Sequence, residues 1–137
     1  MIWIKRKMGA LGVLALCLGA LPLAAAEGGD APALALETLL TAELEAAEGV
    51  EVIVSRVTIP PQTALPKHWH PGEEFAYVLE GVVTLWQEGK EDITVGAGGV
   101  GAVPLRQVHT ARTGAEGASL LVFRVHQQGQ PERVPVD

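Results

Sequence analysis

The stretch Pro66-Lys67-His68-Trp69-His70-Pro71-Gly72-Glu73-Glu74-Phe75-Ala76-Tyr77-Val78-Leu79-Glu80-Gly81 decides how this chain is read. From Phe75 it is aromatic and aliphatic, and it closes on Glu80-Gly81, the composition of an extended run ended by a turn. On a strand, side chains at i and i+2 project from the same face, so His68 and His70 stand side by side. Glu74 shares their parity and reaches that face. Glu73 has the opposite parity and points away, unless Pro71-Gly72 inserts a bulge.

The same period of two governs the flanking sequence. Val50, Val52 and Val54 alternate with Glu51, Ile53 and Ser55, and β-branched residues continue to Ile59, where Pro60-Pro61 stops the run. Downstream, extended runs Val82–Gln87, Ile93–Val95, Val100–Val103, Val108–Thr113 and Ala118–His126 are cut by Glu88-Gly89-Lys90, Gly96–Gly99, Pro104–Gln107 and Gly114–Gly117. Roughly six to eight short strands at about 8–12-residue spacing predict an all-β fold, an antiparallel sandwich or barrel. No alternation of strand and long helix supports a βαβ fold. Residues 34–48 read two ways. Leu36, Leu39, Leu40 and Leu44 have helical spacing, yet the segment is short and runs straight into a strand-like stretch. The polar tail from Gln127 is predicted to be loosely held.

Composition narrows the function classes. The 137 residues carry one cysteine, 4% aromatic residues and a formal net charge of −6. That excludes a disulfide framework, a cysteine-rich zinc module, a basic nucleic-acid stripe and an aromatic stacking platform. Residues 1–26 read as a cleavable signal peptide: Lys5, Arg6 and Lys7, an apolar run from Met8 to Leu23, then Ala24-Ala25-Ala26 before Glu27. The run is broken by Pro22 and falls short of the roughly 20 residues that span a bilayer, so no stable membrane anchor is expected after cleavage. Leu16 before Cys17, with the Ala-x-Ala site downstream, argues against a lipoprotein. Cleavage removes three basic residues and no acidic one, which takes the formal charge from −6 to −9 and removes the only cysteine. The expectation is an exported protein, periplasmic or secreted.

A third histidine, His109, follows Pro104 at the mouth of another strand. In an antiparallel barrel, residues some 40 positions apart face each other across the interior. His68, His70, His109 and Glu74 together suit one divalent first-row transition metal (Fe, Mn, Ni, Cu or Zn), with positions left open for water or substrate. His126 reads instead as a solvated or hydrogen-bonded side chain. By parity Ala76, Val78, Ala111 and Thr113 face inward with the ligands, as pocket or as ordinary core. Trp69 packs outside, and Trp86 and Tyr77 line either an interface or the mouth.

The stretch from Pro66 to Gly81 resembles the first motif of the cupin superfamily, His-x-His, three or four residues, Glu, six residues, Gly, at His68, His70, Glu74 and Gly81. The second cupin motif has the form Gly, five residues, Pro-x-Gly-x-x-His, three residues, Asn. Gly98, Pro104 and His109 match it, while Arg106 stands in place of the Gly and Thr113 in place of the Asn. Arg106 therefore puts the turn before His109 in question. It is either a cation near the barrel mouth or a solvated loop residue. The resemblance implies a small jelly-roll barrel over residues 38–126 with the metal inside and an edge strand at 38–46, while composition makes residues 27–37 a leader and 127–137 a tail. It also implies homodimers. The function expected from it is a mononuclear metal-binding cupin with dioxygenase-like or related small-molecule activity. Glu74 is its candidate catalytic residue, as ligand or as general base. The alternative is a non-catalytic barrel that binds a small ligand or metal.

Overall fold

The computed structural model describes residues 33–137; residues 1–26, read above as a signal peptide, and residues 27–32 of the expected leader lie outside the described residues. Among the described residues every regular element is a strand: β1 (Ala35–Glu43), β2 (Val50–Ile59), β3 (His68–Trp69), β4 (Gly72–Gln87), β5 (Ile93–Gly96), β6 (Val100–Val103), β7 (His109–Gln127) and β8 (Val134–Pro135). Every ladder is antiparallel.

Two long strands organise the sheet. β4 and β7 run side by side, with Gly72 opposite His126 at one end and Gln87 opposite His109 at the other. Here the sequence expectation is corrected. Glu80-Gly81 and Gly114–Gly117 do not separate strands; they are irregularities within two continuous ones. The register slips between Val78 and Glu80 and again between Gly81 and Val83, and residues 114–117 have no partner on β4. Gly81 has φ of +75° and lies so close to the Gly117 carbonyl that a Cβ would not fit. Bulges at this point bend both strands together. Before the bend β4 pairs with β6, while the matching half of β7 pairs with β2 and, beyond it, β1. After the bend β4 pairs with β5, and β7 pairs with β3 and, beyond it, β8. The result is one curled antiparallel sheet whose two wings face each other.

The inward faces follow the period of two. Ile53, Ser55, Val57 and Ile59 on β2 are buried, as are Ala118, Leu120, Val122, Arg124 and His126 on β7. Near the bend, Val57, Ile59, Val78, Val83, Leu120 and Val122 form the apolar core.

The ambiguous N-terminal segment is a strand. β1 pairs with β2 from Ala35↔Thr58 to Glu43↔Glu51, so it begins three residues before the expected barrel boundary at 38. It lies at the sheet edge, where Leu36, Leu39 and Leu40 stay exposed. Helical periodicity without a face to bury gives way to ladder pairing with β2. The tail is also corrected. It reverses at Gly129 (φ of +75°), and β8 pairs with β3 as His68↔Pro135 and Trp69↔Val134.

Candidate metal centre

The topology draws the four predicted ligand residues together at the end of the interior away from the bend. His68 on β3 is the direct cross-strand partner of His109 on β7. His70 follows β3, and Glu74 sits on β4 between Val103 of β6 and Arg124 of β7. Imidazole centroids are 4.5 Å apart for His68 and His109, 4.8 Å for His68 and His70, and 5.1 Å for His70 and His109. One ring nitrogen from each of the three lies within 4.8 Å of the others. Glu74 joins them, with Oε2 3.0 Å from His70 Nε2 and Oε1 3.8 Å from His109 Nε2. Glu73 is exposed on the opposite face, as its parity requires.

Each imidazole is oriented by a main-chain carbonyl. His68 Nδ1 donates to Pro66 O (2.8 Å), His109 Nδ1 to Gln107 O (2.9 Å), and His70 Nδ1 to Glu132 O. A carbonyl only accepts, so the proton of each neutral ring is on Nδ1 and the lone pair is on Nε2. Three such lone pairs directed at one region are what metal-bound histidines present, with the second nitrogen held by the surrounding protein. Burial lowers the His68 pKa to about 4, opposed by the Pro66 carbonyl, and lowers that of His109 in the same way against the Gln107 carbonyl. Both rings are therefore neutral at neutral pH. Burial pushes the Glu74 carboxyl up, but in the acid range where it titrates a protonated His70, the Arg124 charge and a protonated His109 outweigh it, holding the pKa down at about 2.

Among the described residues two buried side-chain nitrogens are left over, His70 Nε2 and His126 Nε2, and only the first belongs to the histidine cluster. His70 Nε2 has no hydrogen-bond partner; the nearby Glu74 oxygen is within distance but not in hydrogen-bond alignment. An orphaned, buried lone pair is costly, and a metal ion is a partner of the right chemistry for it. On that ground the residues present fit a metal.

Arg124 was not foreseen as part of the site. It is 4% exposed, and its Nε donates to Glu74 Oε2 at 3.0 Å while Nη1 lies 3.4 Å from Ser55 Oγ and 3.6 Å from a Glu132 carboxylate oxygen. The available signal was a lone cation on the inward parity of an apolar strand, in register with Leu120 and Val122. With Ser55, Gln87 and His126 also buried, the interior is more polar than the sequence implied. His126 is hydrogen-bonded rather than solvated, with Nδ1 2.8 Å from Gln127 O.

Beside the site is a cavity of about 80 Å³ that reaches into the apolar interior. Ala76, Val78 and Ala111 line it as parity predicted, and so do Arg124 and Arg133. Thr113 is buried but does not line it. Its hydroxyl donates to Pro60 O, and it accepts from Thr63 N at 3.2 Å, tying β7 to the 60–63 loop. Arg106 adopts φ of +57°, so the turn expected of a glycine is kept with a strained residue in it. Its side chain leaves the cavity alone and lies over the Trp69 ring, 5.9 Å from the centroid, outside the barrel. Tyr77 is exposed on the outer face, and Lys67 Nζ lies 4.3 Å from the Trp86 ring centroid.

Residues 55–124 match the model of the cupin domain family, and the chain belongs to that family. Among proteins of curated function, none matches the chain. Solved structures with the same fold include an RmlC-like cupin from Methanocaldococcus jannaschii (18% identity, TM-score 0.60, covering 72% of this chain and 84% of that one). A cupin-like protein from Thermotoga maritima is similar at 20% identity and TM-score 0.59, covering 74% of each chain. The DMSP lyase DddQ from Ruegeria pomeroyi is 25% identical with TM-score 0.57, over 62% of this chain and 43% of the lyase. The chain thus spans less than half of that lyase.

Proposed function

We propose that this cupin holds one divalent first-row transition metal on His68, His70 and His109, with Glu74 as fourth ligand, and acts on a small molecule bound in the adjoining cavity. The observation that carries the reading is the set of three Nδ1–H donors fixed on main-chain carbonyls, which leaves three Nε2 lone pairs directed inward. A redox-active ion at this point would supply dioxygen chemistry of the dioxygenase-like kind, and a redox-inert ion would supply Lewis acidity.

The protein's own groups have distinct tasks. Arg124 keeps Glu74 ionised and oriented, which suits a ligand better than a base, because a carboxylate with a pKa of about 2 is a poor proton acceptor at neutral pH. The cavity wall is mostly apolar, with Glu74, its partner Arg124 and Arg133 as the charged residues that line it. These features favour a small, mostly apolar substrate that carries one anionic or metal-chelating group. The likeness to a DMSP lyase supports small-molecule chemistry on this scaffold. A non-catalytic binding barrel is the second reading, favoured by one observation: the carboxylate lining the cavity, Glu74, is already engaged by Arg124.

Export through residues 1–26 and homodimer formation belong to the same proposal. Dimerisation is supported by Phe75, Tyr77, Val100 and Phe123, exposed on neighbouring strands of the outer face. Sedimentation analysis would report its mass, and N-terminal sequencing of the exported protein should begin at Glu27. The metal reading is tested by loading the full chain with each candidate ion, removing excess and measuring bound metal together with oxygen consumption over a panel of small acids. About one ion per chain supports the site. Turnover on any member of the panel favours the enzyme over the binding module.

A further inference from the structure

The residues that follow the barrel are built into the metal centre from outside it. β3 is only two residues long and carries His68, with His70 immediately after it. One edge of β3 is covered by β7; the other is covered by the C-terminal segment, through His68↔Pro135 and Trp69↔Val134. Val136 N donates to Lys67 O at 3.1 Å and extends the contact. Within this segment Glu132 makes two separate connections. Its main-chain carbonyl accepts the proton of His70 Nδ1, and its carboxylate lies 3.6 Å from Arg124 Nη1, whose Nε holds Glu74. The next residue, Arg133, lines the cavity.

We propose that residues 130–136 act as a strap that positions the metal ligands, with Glu132 as the positioning residue: its carbonyl fixes the tautomer and direction of His70, and its carboxylate steadies Glu74 through Arg124. The inference rests on the metal reading above. His68 and His109 take their carbonyls from two residues upstream, on their own local chain, so their orientation comes with the fold of the strand. His70 takes its carbonyl from 62 residues downstream. Without the strap, its buried Nδ1–H has no acceptor, and the proton can move to Nε2, which abolishes the lone pair that binds metal. Losing a group that orients a metal-bound histidine typically weakens metal binding by about 10–100-fold.

The test compares the full chain with a chain ending at Gln130. Cobalt(II) and zinc(II) affinities are measured by chelator competition, and the His70 tautomer is read from 15N shifts of the metal-free protein. The strap predicts affinity about 10–100-fold weaker in the shortened chain and a His70 signal that changes from Nδ1–H alone to a mixture, with His68 and His109 unchanged. Glu132→Gln retains the carbonyl, so it should leave the tautomer as it is and weaken metal binding only a few-fold. If the shortened chain does not fold, the full-length chain carrying Val134→Gly and Val136→Pro serves instead. It loses the Val136 N–H and loosens the pairing with β3, and should lose affinity at least several-fold. A folded shortened or loosened chain that binds metal as tightly as the full chain, with the tautomer unchanged, overturns the strap and leaves the metal site standing. A full chain that binds neither ion overturns the metal reading and the strap with it.

Discussion

Near the bend of the barrel Ile59 and Val78 are each 1% exposed, and at the far end His70 and His109 are each 2% exposed. Burial is the same at the two ends, but what holds the residues is different. At the bend, aliphatic side chains from β2, β4 and β7 gain stability simply by leaving water. At the far end, the buried side chains of His68, His70, His109 and Arg124, with half-buried Glu74 among them, oppose folding unless each atom finds a partner. Main-chain carbonyls supply partners for the three Nδ1 atoms, and Arg124 and Glu74 supply each other's. Among the described residues two buried nitrogens stay unpartnered, His126 Nε2 and, inside the histidine cluster, His70 Nε2. A fold needs the first end; the second is what the proposed metal ion would complete.

That difference can be broken by substitution. Replacing His68 and His70 with Ala should abolish stoichiometric metal binding while the chain still unfolds cooperatively; metal analysis beside thermal unfolding reads both. Ile59→Ala should do the reverse. It should cost about 2–5 kcal/mol of stability by opening a cavity in the core, and leave one metal per folded chain. If Ile59→Ala abolished metal binding in the folded protein, the two ends would not be separable in this way.

Acidity sharpens the comparison, because the apolar end has nothing to titrate. The folded-state pKa of His68 is lowered from 6.5 to about 4, so between those pH values the unfolded chain binds a proton that the folded chain does not. Stability of the metal-free protein should therefore be complete above about pH 6.5 and fall as pH drops toward 4. His109 contributes with the same sign. Glu74, lowered from 4.5 to about 2, adds a further loss as pH falls through that lower window. Thermal midpoints across pH 3–8 check this, and His68→Gln should flatten the upper part of the curve. The smallest expected effect lies outside the barrel. Arg106→Gly should stabilise the protein by about 1 kcal/mol, since glycine tolerates the left-handed turn, with the loss of the Trp69 contact taking back part of the gain.

The clustering of the four predicted ligand residues was legible in part because strand parity is a local rule. His68, His70 and Glu74 share a face by spacing alone, and the second motif placed His109, which the fold pairs with His68. The inward positions Ala76, Val78 and Ala111 followed from the same rule. What escaped the sequence is non-local. Arg124 meets Glu74 across a ladder that joins residues 50 positions apart, and Glu132 meets His70 across 62. The strand breaks expected at Gly81 and Gly114–Gly117 were misjudged because glycine in a strand marks a bulge as well as a turn, and only the partner strand decides which. β1 was ambiguous for a related reason, since an edge strand with both faces largely exposed carries no clear period of two.

The most direct test of the central claim is the metal content of the folded full-length chain after exposure to manganese, iron, cobalt, nickel, copper and zinc and removal of excess. Native mass spectrometry can count ions on the intact protein. Convergent Nε2 lone pairs on His68, His70 and His109 predict about one ion per chain, lost in the His68→Ala/His70→Ala variant. A folded chain that retains none of the six, or a double variant that retains as much as the parent, would contradict it.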